Sequence, residues 1–391
     1  MKKTQALGVT IAAAGILALA ACGGYGGGGS YGGGSGGGGG GYSSSMSSAT
    51  AYSATDVVRD TAGAAQTDAN LVNGWGVAFN PNGYVWVANN GTNTSTLYDG
   101  NGVPQSLVVT LNGGLSGAAD PTGLVFNNST TSFVLSAAVG GGAFAGHGGY
   151  TGAASGAAPF IFAGEGGTLD AWAPAVDGTH AFVVYDGSAA GAVYKGLAIM
   201  TGTTNRLYAA DFHNKRIDVF DGTFTRITAA GGFADANIPA DYGPFNIQAI
   251  GNQLYVAYAK KDPASDDETA GAGLGYVDIF DTDGNLVKRL VAAGGALNAP
   301  WGMAMAPANF GQFSNDLLVG NFGDGKINAY DPTTGAKVGT LSKADGTAIV
   351  VDGLWGIAFG NGLNNQPTNT LFYAAGPSNE AHGAYGRIEM Q

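Results

Sequence analysis

The residues able to do chemistry in this 391-residue chain fall at recurring positions. One set stands at corners leading into short apolar runs: Trp75, Asp120, Lys195, Asn246, Trp301 and Asp352. A second set follows the next strand-like run: Asn89, Asn90, Glu165, Asp211, His213, Lys260, Asp262, Asn321 and His382. Carboxylate and amide oxygens suit a hard cation such as Ca2+, and Glu165, Asn89 and Asp211 are the candidate ligands. Asn and Asp serve turns equally well, through hydrogen bonds to nearby backbone. Trp75, Trp301 and Trp355 share one repeat position, where they either pack between repeats or form an aromatic rim for a sugar or another flat ligand. His213, in Asp211-Phe212-His213-Asn214, reads as a loop residue or as a general base paired with Asp211.

Other chemistry is argued against. No Gly-x-Ser-x-Gly elbow occurs in the body, which disfavours a Ser/His/Asp hydrolase. Asp281-Thr282-Asp283-Gly284-Asn285 looks like the start of an EF-hand loop, but Ala292 stands where the twelfth-position Glu belongs, so it reads as a hairpin turn. The insert Lys260–Gly273 carries Asp262, Asp266, Asp267 and Glu268, either as a solvated loop or as a site for Ca2+ or a basic partner. Cys22 is the single cysteine, which excludes an intrachain disulfide and a multi-cysteine zinc site. The net charge is -12 and the 16 Lys and Arg form no block, so no nucleic-acid function is expected.

These residues need elements to position them, and the elements repeat. A corner and a short apolar strand recur around Gly76, Gly123, Gly196, Asn246, Gly302 and Gly356 at roughly 50-residue spacing, the size of a four-stranded blade with its loops. The one long interval, Gly123 to Gly196, contains the Gly/Ala-rich stretch Ala137–Ala158, read as an insertion in blade 2. Asp-Gly and Pro-Thr-Thr-Gly connections supply hairpin turns. The sixth copy runs out after a third strand at Gly386–Met390. The orphan strand Ala54–Asp60 is therefore expected to supply its outer strand. The expectation is an all-β, six-bladed β-propeller over residues 54–391, with corners and post-second-strand loops converging on one mouth.

Ahead of it, Lys2 and Lys3 precede an apolar run over Thr10–Ala21. The sequence Leu19-Ala20-Ala21-Cys22-Gly23 resembles a bacterial lipobox. That resemblance implies a signal peptide over residues 1–21, lipidation of Cys22, and, with Gly rather than Asp following it, the outer membrane of a Gram-negative bacterium. Residues 22–53 are a Gly/Ser-rich linker, whose roughly 30 residues would reach about 30 Å.

The Trp-Gly, Leu-Tyr-x-Ala and Ile-Asp-Val-Phe-Asp-Gly phrases resemble NHL-type propeller repeats. Leu71-Val72-Asn73-Gly74-Trp75-Gly76, Gly243-Pro244-Phe245-Asn246-Ile247-Gln248 and Asp352-Gly353-Leu354-Trp355-Gly356 resemble an uncharacterised family of exported bacterial propeller proteins. The resemblance implies the fold and no activity. The sequence thus points to a cell-envelope lipoprotein whose mouth binds a glycan, a small molecule or an envelope protein. The alternative is a divalent-metal-dependent hydrolase, similar to the six-bladed Ca2+-dependent lactonases that place Glu, Asn and Asp around such a mouth.

Overall fold

The computed structural model describes residues 50–391, apart from 142, 143 and 145. The expected signal peptide, Cys22 and most of the linker lie outside the described residues. Within them the chain is all-β and propeller-like, with helical geometry confined to short turns such as Asn90–Thr92 and Ala137–Gly141.

Six four-stranded antiparallel units follow one another, each built from an inner strand outward. The inner strands are Gly74–Phe79, Pro121–Phe126, Tyr194–Met200, Tyr242–Ile250, Pro300–Met305 and Leu354–Phe359. Each packs beside the next, and the sixth packs beside the first, so the inner strands close a ring. The second and third strands are short, rich in apolar residues and buried on both faces, because each sheet is sandwiched between two neighbours, while outer strands such as Lys337–Thr340 are largely exposed. Leu318, Ile327 and Ala329 of the fifth unit, for example, pack on Leu354, Leu371 and Tyr373 of the sixth.

The sixth unit takes its outer strand from the other end of the body. Tyr52–Arg59 pairs antiparallel with Ala384–Met390, Tyr52 opposite Met390 and Arg59 opposite Ala384. The Tyr52 hydroxyl also donates to the Phe310 carbonyl at 2.9 Å. The outer strands of the first two units touch through two parallel pairs, His180 with Thr110 and Ala181 with Leu111. The long interval of the second unit lies between its inner strand and Phe160–Gly164, where Val134–Leu135 and Gly156–Ala157 form a separate two-stranded ribbon.

The recurring Gly is explained by crowding on the ring. A Cβ at Gly123 would lie 2.4 Å from the Leu197 nitrogen, and one at Gly356 would lie 2.4 Å from the Trp75 carbonyl oxygen. Asn246 is the one larger residue of the set. Its side chain reaches over Gly196, and its amide donates to the Trp301 carbonyl at 2.8 Å.

One third-strand position is polar in five of the six units, Thr96, Asp170, Asp218, Asp278 and Asn328, opposite Val87, Phe162, Ala209, Val256 and Val319; in the sixth it is Gly386, opposite Tyr373. Asp218 is bonded by the Tyr194 hydroxyl at 2.9 Å and paired with Arg216 and Arg226. Asp278 faces Arg289 at 3.2 Å. Asp170 accepts only from Thr168, at 2.7 Å, and its second oxygen has no partner. Burial, helped by Asp186 and opposed by the Thr168 bond, pushes its carboxyl up to about 8.

Candidate functional site

One hydrogen bond recurs six times and defines the mouth. The residue at the end of, or just after, each second strand donates its N–H to the carbonyl of its own corner: Asn90 to Asn73, Glu165 to Asp120, Phe212 to Val193, Lys261 to Asp241, Phe322 to Ala299 and Gly376 to Gly353, all at 2.7–3.0 Å. Of these residues, Gly376 has no side chain and the Lys261 ammonium lies 5.9 Å from the Phe212 ring; the other four, Asn90, Glu165, Phe212 and Phe322, turn their side chains toward the axis. Their immediate predecessors point the opposite way, as alternation along a strand requires. Asn89, Asp211 and Asn321 are therefore buried inside their own units. Asn89 donates to Thr94 and Thr96, both at 3.0 Å. Asp211 accepts from Asn214 and lies 3.1 Å from Arg216. Asn321 donates to the Ala296 carbonyl at 2.8 Å.

The floor of the mouth is aromatic and closed. Trp75 stacks on Trp355 at 3.5 Å, Trp355 stacks on Phe322 at 4.0 Å, and Trp301 meets both indoles edge-on at 5.9 Å. Phe245 and Phe212 complete the cluster. All three indoles are buried, so they pack as a plug across the axis, the first of the two readings, and not as an exposed rim. The Trp301 indole N–H donates to the Lys195 carbonyl, and that of Trp355 donates to Asn73. The Trp75 indole nitrogen has no partner.

Lys195 stands on this plug. Its ammonium lies 5.4 Å from the Trp75 ring centroid, a cation–π distance, and its side chain is 2% exposed. It bonds Glu165, and Asp267 lies 4.0 Å away. Asn90 donates to the other Glu165 oxygen at 2.8 Å. Asn73 donates to Asn90 at 3.3 Å and to Glu380 at 2.7 Å. The chain Lys195–Glu165–Asn90–Asn73–Glu380 thus links the third, second, first and sixth units.

The electrostatics are one-sided. Burial opposes the Lys195 charge, but Glu165, Glu268 and Asp267 hold its pKa above the ordinary value. Glu268 is pushed up to about 7 by burial, with Lys195 opposing and Glu380 and Asp267 adding. Glu380 is raised by burial and by the charges of Glu165 and Asp267, against its bond from Asn73. Asp120 is raised by burial and then by Glu165. Four carboxylates act on this ammonium: Glu165 bonds it, Asp267 lies 4.0 Å away, and Glu268 and Glu380 feel its charge, while Asp120 faces Glu165.

Several expected partnerships are absent. Asn89, Asp211 and Glu165 do not converge as metal ligands, because each is engaged with different neighbours. Among the described residues no three acid, His or Cys side chains are grouped to hold a metal. His213 contacts Asp266 at 2.6 Å rather than Asp211, as a loop residue and not as a base paired with Asp211. Lys260 lies 3.3 Å from Asp241. Asp262 caps its own loop through Ala264, Asp352 accepts from the Ser378 N–H, and His382 contacts Asp60 at 2.8 Å. Asp281 accepts from the backbone of Asp283 and Asn285, so that segment is a side-chain-capped turn. Glu380, Asn73 and Phe322 are residues of the site that sequence reasoning did not select. Glu268 and Asp267 lay in the flagged insert without being chosen.

No family model matches the chain. It is 36% identical over 331 residues to the uncharacterized protein R648 of Acanthamoeba polyphaga mimivirus, covering 83% of this chain and 76% of that protein. It is 37% identical over 306 residues to the uncharacterized protein L690 of the same virus, covering 75% of each. The chain belongs to the family of these mimivirus proteins. This corrects the expected membership of an exported bacterial family: relatives similar over most of both chains are viral. Among solved structures, a streptogramin B lyase aligns over 87% of this chain and 97% of its own at 10% identity and a TM-score of 0.48. A protein of unknown function from Bacteroides thetaiotaomicron aligns over 82% and 70% at 12% identity and 0.49. At those scores no chemistry transfers from either.

Proposed function

We propose that the body is a six-bladed β-propeller whose mouth binds the positively charged group, ammonium or guanidinium, of a small molecule or protein partner. The observation that carries this is that four carboxylates, Glu165, Asp267, Glu268 and Glu380, share the one Lys195 ammonium, with Asp120 beside Glu165. Burial and mutual repulsion raise the pKa of three of them, Asp120, Glu268 and Glu380. A bound cation would relieve that repulsion; a neutral sugar would not, and the indoles that might have stacked on one are buried. Six equivalent corner-to-loop hydrogen bonds and the closed ring of inner strands support the blade count.

The test is calorimetry on the full chain at low salt with spermidine and argininamide as cationic probes and glucose as the neutral one. The cations bind, and binding weakens as salt screens the charges. Glu380→Gln, which preserves an oxygen for Asn73, weakens spermidine several-fold. Lys195→Met, which removes the ammonium bonded to Glu165, tightens it. Glucose binding with no response to the cations, or both variants weakening spermidine, would reject the reading.

The N-terminal Lys pair, apolar run and Cys22 motif support an exported, lipid-anchored protein, with the mouth held off an outer membrane by the linker. A Ca2+-dependent hydrolase has no converged ligand set to rest on among the described residues.

A further inference from the structure

We propose that the cleft between the fourth and fifth units is a second ligand site, one that takes an oxyanion, carboxylate or phosphate, at Lys337 and Lys326. The cleft encloses about 480 Å³, a small-molecule size. Its polar lining is Asn298, Asp324, Lys326, Asn328, Lys337, Thr340 and Ser342, beside small residues of the connecting loops.

Its floor breaks the repeat in a telling way. Asn328, 2% exposed, occupies the third-strand position that carries a carboxylate in the second, third and fourth units. A carboxylate there would repel an anion; the amide does not. Asn328 is held by the Thr340 hydroxyl at 2.8 Å and by the Ala296 carbonyl at 3.2 Å, so the floor is preorganised. The hydroxyl protons of Thr340 and Ser342 are both committed, to Asn328 and to the Thr340 carbonyl. Their oxygens remain acceptors for ligand hydroxyls.

The walls supply the charge. Lys326 lies 3.2 Å from Asp324. Lys337 is exposed and has no hydrogen-bond or ion-pair partner among the described residues. An ammonium has three donors, so Lys337 offers all of its own. In a chain of net charge -12, this cleft is opposite in sign to the mouth and takes the opposite kind of ligand.

Millimolar titration of the full chain with inorganic phosphate, D-glucuronate and D-glucose tests this by calorimetry. At least one of the two anions binds and glucose does not. Phosphate alone identifies a phosphate ligand, and glucuronate alone identifies an acidic sugar. Lys337→Met, at an exposed position, weakens the binding about tenfold, the usual worth of a charge-assisted hydrogen bond. Asn328→Asp abolishes it, and the mouth variant Glu380→Gln leaves it unchanged. Failure of both anions to bind, or unchanged binding in the Lys326→Met/Lys337→Met double variant, overturns the proposal, whatever the mouth is found to bind.

Discussion

Asp170 shows how one position diverges within a repeat. Its counterparts Asp218 and Asp278 are met by arginines; Asp170 is met only by one hydroxyl, and, like Asp278, it keeps one oxygen without a partner. A carboxyl raised from 3.8 to about 8 on folding holds its proton in the native state where the unfolded chain has released it. The native state then binds more protons between those values, so stability falls as pH rises from about 4 to about 8 and levels off beyond. Asp170→Asn keeps an acceptor for Thr168 and removes this titration. Its unfolding free energy at pH 9 is expected to exceed the wild type's by about 4 kcal/mol, about 1.4 for each pH unit between 5 and 8, with little difference at pH 5. Denaturant curves at both pH values measure it, and an equal effect at both would show that Asp170 is not protonated at neutral pH.

At the scale of strands, the repeat was legible because its signals are local. Gly at the crowded ring position, an apolar strand after each corner and Asp-Gly turns are all written in short windows. The site was legible only to within one residue. Asp211, Lys260 and Asn321 were chosen where Phe212, Lys261 and Phe322 hold the loop-defining hydrogen bond, because a one-residue slip on a strand turns a side chain to the other face. Glu380 carried no signal, since what makes it part of the site is Asn73, 307 residues away. The closing strand Tyr52–Arg59 was visible as a strand without a partner. Removing residues 52–59 uncovers the edge of Ala384–Met390, and an uncovered edge invites pairing with another chain. The truncated protein is expected to self-associate in light scattering at concentrations where the intact one is monodisperse. A monodisperse truncated protein would show that the edge is otherwise protected.

At the scale of the molecule, two sites of opposite sign share one scaffold. The mouth draws on residues from at least five units and depends on the closed ring; the lysine cleft is assembled by two neighbours. The anchor proposed at Cys22 is tested by fractionation. Wild type is expected to sediment with membranes and partition into detergent, and Cys22→Ser to remain in the aqueous phase. Equal partitioning would show that Cys22 carries no anchor.

The pairing of Tyr52–Arg59 with Ala384–Met390 also sets an order of events in biosynthesis. The strand made first has its partner made last, so it must wait, unpaired, while more than three hundred residues are added. Local units can form as they emerge, but the seam that joins the ends is the longest-range contact in the body and the slowest kind to find. A chain halted before its final strand keeps that seam open and displays an adhesive edge. Synthesis of that strand is thereby coupled to solubility, and a copy that lacks it is open to aggregation or proteolysis.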